Sequence, residues 1–262
     1  MIQRRWLVLS LSILVFAIGF TGLRYFKVSA SWEDYFLEDD PMLVKTEEFK
    51  DIFGNDNFAA VLTRCDNLFT KENLQLIREL TNEMMDSLSY ADKITSLTDI
   101  EFMVGSEEGM TIEQIVPETI PSDPAQLEEI RHKAYLKPHI AERLVSKDGT
   151  LSWIILKLRT FPEDSVWNKG KNAVAPEVLT GNELEHIITK DKYQKLHPKG
   201  TGLPYVTAMK MKWISKEMPR VLGIATLISI LILLLVTRSF RGVVVPLVTA
   251  VGSIIIVYGM LG

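Results

Sequence analysis

The sequence predicts an α+β extracytoplasmic domain inserted between transmembrane α-helices, and three observations predict it. Three long apolar runs, residues 6–23, 221–237 and 242–262, are each near the length that crosses a bilayer as a helix. The first two bracket 197 mostly polar residues, whereas only Arg238 to Arg241 separate the second from the third. Inside the bracketed stretch, short apolar runs with strand character alternate with amphipathic stripes at helical spacing.

Orientation follows from basic residues close to the spans, because short segments rich in Lys and Arg stay in the cytoplasm. Arg4 and Arg5 precede the first run, and Arg238 and Arg241 fill the tight loop between the second and third. Residues 1–5 are therefore expected as a cytoplasmic N-terminus, 6–23 as the first transmembrane helix and 24–220 as the extracytoplasmic domain. The second helix is then 221–237, the cytoplasmic loop 238–241 and the third helix 242–262. Arg24 and Lys27 oppose this only weakly, since long domains translocate largely regardless of charge. A cleaved signal peptide is the alternative for the first run, with Val28-Ser29-Ala30 as its cleavage site. Against it, the apolar stretch exceeds a usual signal core and Arg24-Tyr25-Phe26-Lys27 approach the site poorly, which favours a retained anchor. The third run stops at Gly262 without the polar flank that closes a span, so the chain is expected to be the front of something longer.

Composition supports this division. All 33 acidic residues and 25 of the 29 basic ones lie within residues 24–220, so the domain carries −8 while the whole chain carries −4. Such an acidic domain argues against nucleic acid as a partner. Cys65 is the only cysteine, so no intrachain disulfide forms and the domain must rest on packing; a free structural thiol in strand context is expected.

Along the domain, Trp32-Glu33-Asp34-Tyr35-Phe36 places aromatics where a membrane interface favours them. Glu38, Asp39 and Asp40 before Pro41 lack the spacing and turn glycine of a calcium loop and read as a solvated helix start. Gly54 to Asn57 reads as a turn, Phe58 to Thr63 as a strand, and Thr70 as a helix N-cap with Phe69 and Leu74 as a hydrophobic staple. Leu74, Ile77, Leu80, Met84 and Leu88 make one apolar stripe, and Ile94 to Leu97 the next strand. Glu101 to Ser122 is expected as a loop, and Pro124 to Leu144 as helical with a break before Pro138. Thr150 to Arg159, apolar on both faces through Trp153, Ile154, Ile155, Leu156 and Leu158, fits a central strand. Asn182 to Leu196 is expected as a second amphipathic helix and Leu203 to Met209 as a closing strand. Two strand-helix-strand units combine into a split ferredoxin-like sandwich, with the strands near Phe58, Ile94, Thr150 and Leu203 in one sheet.

Motifs for soluble chemistry do not occur: no phosphate-binding glycine loop, no nucleophile elbow, no paired-histidine metal helix. Of the four histidines, His132 and His139 are seven apart with Pro138 between them, and with His186 and His197 they read as surface or capping residues. No catalytic, cofactor-binding or metal-binding residue is assigned, and no cofactor is expected. The three runs also hold no Asp, Glu, Lys or His, the groups from which proton relays inside membranes are built.

One stretch is distinctive. Arg220-Val-Leu-Gly-Ile-Ala-Thr enters the second run, which is followed by Thr237-Arg238-Ser239-Phe240-Arg241-Gly242 and then Val-Val-Val-Pro246-Leu247. This resembles the resistance-nodulation-division (RND) superfamily, in which an aromatic-Arg-Ser-x-Arg-Gly loop closes a second span and a Pro-Leu pair opens the third; Thr237 stands where the aromatic is usual. The Trp32 to Phe36 stretch with Asp39-Asp40-Pro41, and Phe49 to Gly54, resemble the hydrophobe/amphiphile exporter branch related to MMPL-type lipid transporters.

The resemblance implies a proton-driven, multi-pass exporter of the bacterial inner membrane, not an enzyme, with a ferredoxin-like porter subdomain between its first two spans. It implies that Arg238, Ser239, Arg241, Gly242 and Pro246 form a structural cytoplasmic loop facing lipid headgroups. The partners it implies are the lipid bilayer, a hydrophobic or amphiphilic substrate, the C-terminal remainder of the transporter that carries the proton relay, and further copies in a homo-oligomer. Three other architectures share the layout in part. A membrane-anchored sensor would run from its second span into a cytoplasmic helix, an ABC-type permease of the macrolide-exporter kind would pair with a separate ATPase, and an anchored binding domain would act alone.

Overall fold

A computed structural model describes residues 5–22, 37, 40–53, 57–106, 109–136, 140, 143–162 and 174–261. The Trp32 cluster, Glu38, Asp39, the Gly54 to Asp56 turn, Pro138 and His139 lie outside the described residues. The chain divides into two compact units, Tyr35–Lys212 and, together, Met1–Asp34 with Trp213–Gly262.

After α1 (Arg5–Gly22), which belongs to the second unit, the first unit opens with the helix α2 (Pro41–Phe53) and then holds β1 (Phe58–Arg64), α3 (Lys71–Ser87), β2 (Ala91–Thr95), β3 (Glu101–Ser106), β4 (Gly109–Gln114), α4 (Pro124–Tyr135), β5 (Leu151–Leu158), α5 (Pro176–Ile188), a 3-10 turn (Asp191–Leu196) and β6 (Lys199–Thr201). Four strands form one antiparallel sheet in the order β2-β5-β1-β6, with Val61 opposite both Ile154 and Gly200. The β5 strand is internal, as its two-faced apolar pattern requires.

The sequence dictates α3 at both ends of its logic. Thr70, extended at φ −111°, accepts the Asn73 amide on its hydroxyl at 3.2 Å, satisfying a donor that the first turn leaves without a partner. Phe69 before the cap and Leu74 after it both enter the core, completing the staple. Its stripe of Leu74, Ile77, Leu80 and Met84 is fully buried against β2, β5 and α5. Each such side chain contributes about 1.5–3 kcal/mol by leaving water.

Several expectations need correction. Glu101 to Ser122 is not a loop throughout: β3 and β4 pair as a separate two-stranded hairpin, register Glu101 to Gln114. Such a hairpin is marginal alone, and Ile115, Val116 and Ile120 just beyond it return to the core. Arg78 of α3 fixes that return by donating to the carbonyls of Val116, Pro117 and Glu118 at 3.0, 2.9 and 2.5 Å. The second strand is Ala91–Thr95, three residues ahead of the expected Ile94 to Leu97. The Pro124 helix, by contrast, stops at Tyr135, in keeping with the break expected before Pro138. Asn182 to Leu196 is not one helix, because α5 starts at Pro176, a residue suited to a first turn, and ends at Ile188 before the 3-10 turn.

The closing strand is three residues, Lys199–Thr201, and Leu203 to Met209 is instead the start of the long helix α6 (Leu203–Thr237). Gly202 makes the switch: at φ +106° it turns the chain, and a Cβ there would lie 2.3 Å from the Phe58 carbonyl oxygen. Its own carbonyl accepts the Val206 amide at 3.0 Å to begin the helix. Pro204 could not donate within a sheet but suits a first helical turn. The helix thus begins well before the expected residue 221.

The second unit contains α1 (Arg5–Gly22), the later part of α6, and α7 (Phe240–Leu261).

Candidate functional site

No residue was assigned to catalysis, so the candidate site is the apolar helix set and its basic turn. Helices α6 and α7 are both long and apolar enough to cross a membrane, with mean hydropathy 2.4 and 2.3 over their most apolar stretches. They differ from core helices of a soluble protein in lying almost wholly open in the structure: none of that stretch of α6 is buried and 11% of that of α7. Leu222, Ile224, Leu227, Leu231, Ile232 and Leu235 point outward around α6. Hydroxyls on these helices are satisfied within their own helix: Thr226 donates to the Leu222 carbonyl at 2.7 Å, Ser229 to Ala225 at 2.9 Å, Thr249 to Val245 at 2.7 Å and Ser253 to Thr249 at 2.9 Å. A helix whose polar groups are paired internally is what hydrocarbon tolerates.

Helices α1 and α7 pack through glycines. A Cβ on Gly259 would fall 1.9 Å from the Gly19 carbonyl oxygen, and one on Gly22 1.8 Å from that of Gly259, so the two backbones meet where no other residue fits. Beside them the Phe16 ring lies 3.6 Å from where a Gly252 Cβ would stand.

The basic turn comes between α6 and α7. Arg238 takes a left-handed conformation at φ 47°, and its amide still bonds the Leu234 carbonyl at 2.9 Å, closing α6. The Thr237 hydroxyl donates to Leu233 at 2.7 Å and lies 3.2 Å from the Ser239 carbonyl oxygen, a role an aromatic could not fill. Gly242 admits this turn, since a Cβ there would meet the Thr237 side chain at 2.6 Å. Pro246 lies inside α7 without an amide hydrogen for the Gly242 carbonyl. The five residues Arg238, Ser239, Arg241, Gly242 and Pro246 thus fall on one helix-turn-helix stretch.

The sheet unit holds two polar features that no sequence pattern announces. Glu83 on α3 accepts from Tyr193 at 2.6 Å and from Lys192 at 2.7 Å, and also binds Lys190. Burial pushes its carboxyl up, but Lys190, Lys192 and Tyr193 outweigh that and hold it at about 2. The facing Tyr193 phenol is pushed up to about 12, by burial first and by Glu83 second. The second feature is a recess at the carboxyl end of β1. Beside it lies Cys65, half-buried just beyond the strand rather than within it, with burial pushing its thiol up. No spacing rule links these residues, because Glu83 lies on α3, Lys190, Lys192 and Tyr193 at the 3-10 turn and Cys65 just after β1.

Among the described residues the histidines are not brought together. His132 and His186 stand in the last turns of α4 and α5, where cations suit the helix end, and His197 caps the 3-10 turn at φ 41°. Among the described residues no group of three or more His, Cys, Asp or Glu could hold a metal ion.

Compared with known protein families, residues 41–262 match the MMPL family. No curated protein matches the chain. The match spans the sheet unit, the basic turn and both long apolar helices, and it follows that this membrane protein belongs to the MMPL family, whose members are transporters and not enzymes.

Proposed function

We propose that this chain carries the porter domain and three spans of an RND-type, proton-driven exporter of hydrophobic or amphiphilic compounds or lipids in a bacterial inner membrane. The observation that carries the proposal is the MMPL match over residues 41–262. In the topology proposed, residues 1–5 and 238–241 are cytoplasmic, 6–23, 221–237 and 242–262 cross the bilayer, and 24–220 are extracytoplasmic.

The domain is proposed to be a ferredoxin-like porter subdomain. Supporting this, β1-α3-β2 and β5-α5-β6 are two strand-helix-strand units that interleave in the order β2-β5-β1-β6. Proton relays within the membrane are built from groups such as Asp, Glu, Lys and His, and the three spans hold none of these four. Coupling would therefore come from further membrane segments of the transporter, acting with a bilayer, an amphiphilic substrate and further copies of the chain. The loop residues Arg238, Ser239, Arg241, Gly242 and Pro246 would hold the cytoplasmic turn, with the arginines at lipid phosphates.

Cysteine labelling tests the topology. In a Cys65→Ala background, Ser122→Cys should react with an impermeant maleimide in intact cells, and Ser239→Cys only after permeabilisation. Equal labelling of both in intact cells would overturn the orientation.

A further inference from the structure

A recess of about 900 Å³ opens where β1 ends. Sheet pairing assembles it: Leu62 lies opposite Lys199 across β1 and β6, and Arg64 opposite Leu151 across β1 and β5, while Lys195 comes from the 3-10 turn. Leu62 and Leu151 supply its apolar lining, and Arg64, Lys195 and Lys199 set three cations against Asp66. Glu72 pairs with Lys195 at 2.5 Å, but both side chains are more than half exposed, and an ammonium has three donors to share. This cationic recess stands in a domain whose balance is −8.

Asn73 adds a second, independent sign of a ligand. It is 7% exposed and lines the recess from the first turn of α3. Its side-chain amide donates to the Asn67 carbonyl at 2.7 Å, which fixes which end of the group is oxygen. That oxygen has no hydrogen-bond partner. A buried acceptor left without a donor costs about 1–3 kcal/mol. The helix N-terminus beside it adds positive potential.

An occupant must therefore bring an anionic group for the three cations and an O–H donor for Asn73, on a short carbon frame that Leu62 and Leu151 can cover. We propose that the recess binds a polyol phosphate, with its phosphate at Arg64, Lys195 and Lys199 and a hydroxyl donating to the Asn73 side-chain oxygen. A phosphatidylglycerol headgroup and a free glycerol phosphate share this chemistry. The site does not depend on whether the chain exports anything, because binding alone is read.

Cys65, the sole cysteine, lines the recess and reports its occupancy. The full chain in neutral detergent micelles is alkylated with N-ethylmaleimide, and the rate is followed by intact mass. The probes are glycerol 3-phosphate, ethyl phosphate, dihexanoyl phosphatidylglycerol and dihexanoyl phosphatidylcholine. Saturable slowing is expected with glycerol 3-phosphate or phosphatidylglycerol and not with phosphatidylcholine. Half-protection by ethyl phosphate should need about tenfold more than glycerol 3-phosphate, the worth of one hydrogen bond to a buried acceptor. The Lys195→Gln, Lys199→Gln double variant, at exposed positions, should need at least about tenfold more of either ligand. In Asn73→Leu the two small phosphates should become equal. If that variant does not fold, the ethyl phosphate comparison on the native chain still reads the same contact. Protection by the lipid alone assigns a membrane source, and equal protection by glycerol 3-phosphate assigns a soluble one. The proposal is overturned by no protection from either ligand, by equal protection from phosphatidylcholine, by ethyl phosphate matching glycerol 3-phosphate, or by an unaltered double variant.

Discussion

Replacing Glu83 with Gln isolates the charge of the clamp between α3 and the 3-10 turn while keeping an acceptor for the Tyr193 hydroxyl, which lies 2.6 Å away. The native environment lowers the carboxyl from 4.5 to about 2, and at 1.36 kcal/mol per unit this sets a ceiling of about 3 kcal/mol. Glu83 is 15% exposed, but Lys190 and Lys192 are 38% and 49% exposed, so solvent screens the pairs. The expected loss is thus about 1–2 kcal/mol at pH 7. The folded-state value is depressed, so the contribution is fully present above the unfolded value near 4.5 and is lost as pH falls toward 2. Urea unfolding of the full chain in micelles, followed by near-UV circular dichroism, should show Glu83→Gln less stable at pH 7 and the gap closing below pH 4. A gap under about 0.3 kcal/mol at pH 7, or one that persists undiminished at pH 2.5, would refute the charge assignment.

Three further outcomes are expected. Arg78→Met removes three bonds to the Val116, Pro117 and Glu118 carbonyls and should cost about 2–4 kcal/mol, with faster hydrogen exchange in residues 109–120; unchanged exchange there would dismiss the clamp. Gly259→Ala must push α7 off α1 and should lower resistance to detergent denaturation by about 1–3 kcal/mol, whereas Gly223→Ala, with nothing within 4 Å, should stay within about 0.5 kcal/mol; equal effects would deny the close crossing. Residues 1–262 expressed in an efflux-deficient cell should not lower accumulation of a lipophilic dye, and protonophore-sensitive efflux from them would contradict the absence of a coupling group in the three spans.

The sequence made some elements plain because their signals were local. The Thr70 cap, the Phe69 to Leu74 staple and the α3 stripe are fixed by neighbours within one turn or two, and β5 declared itself by apolar side chains on both faces. Leu203 to Met209 misled because apolar residues there suit either period, and the deciding residue was Gly202, whose φ of +106° no pattern announces. The β3-β4 hairpin was hidden in a stretch rich in Glu and Gly with weak alternation. The Glu83 clamp and the β1 recess were illegible for a different reason: Glu83 and Tyr193 meet only after the chain has folded back on itself. The basic turn was legible as a motif, while the reason Thr237 is tolerated there, two hydroxyl contacts, arises only once the turn has formed.

The strand order also bears on how such a domain comes into being. Val61 and Ile154 are opposite one another at the centre of the sheet, yet about 90 residues of chain separate them, and loops of that kind make folding slow. If the domain is delivered across a membrane, as in the proposed topology, β1 and α3 emerge first and must wait with their apolar faces unsatisfied until β5 follows. Only then can β2 find its neighbour β5, and β6, the last strand to emerge, completes the sheet against β1. In the proposed topology the helix of residues 6–23 holds the waiting segment at the bilayer surface. Before β5 arrives, the emerging chain is therefore most exposed to proteolysis and aggregation. A destabilising change in β5 should accordingly reduce the amount of domain that matures more than an equal change in β6, which joins last and at an edge.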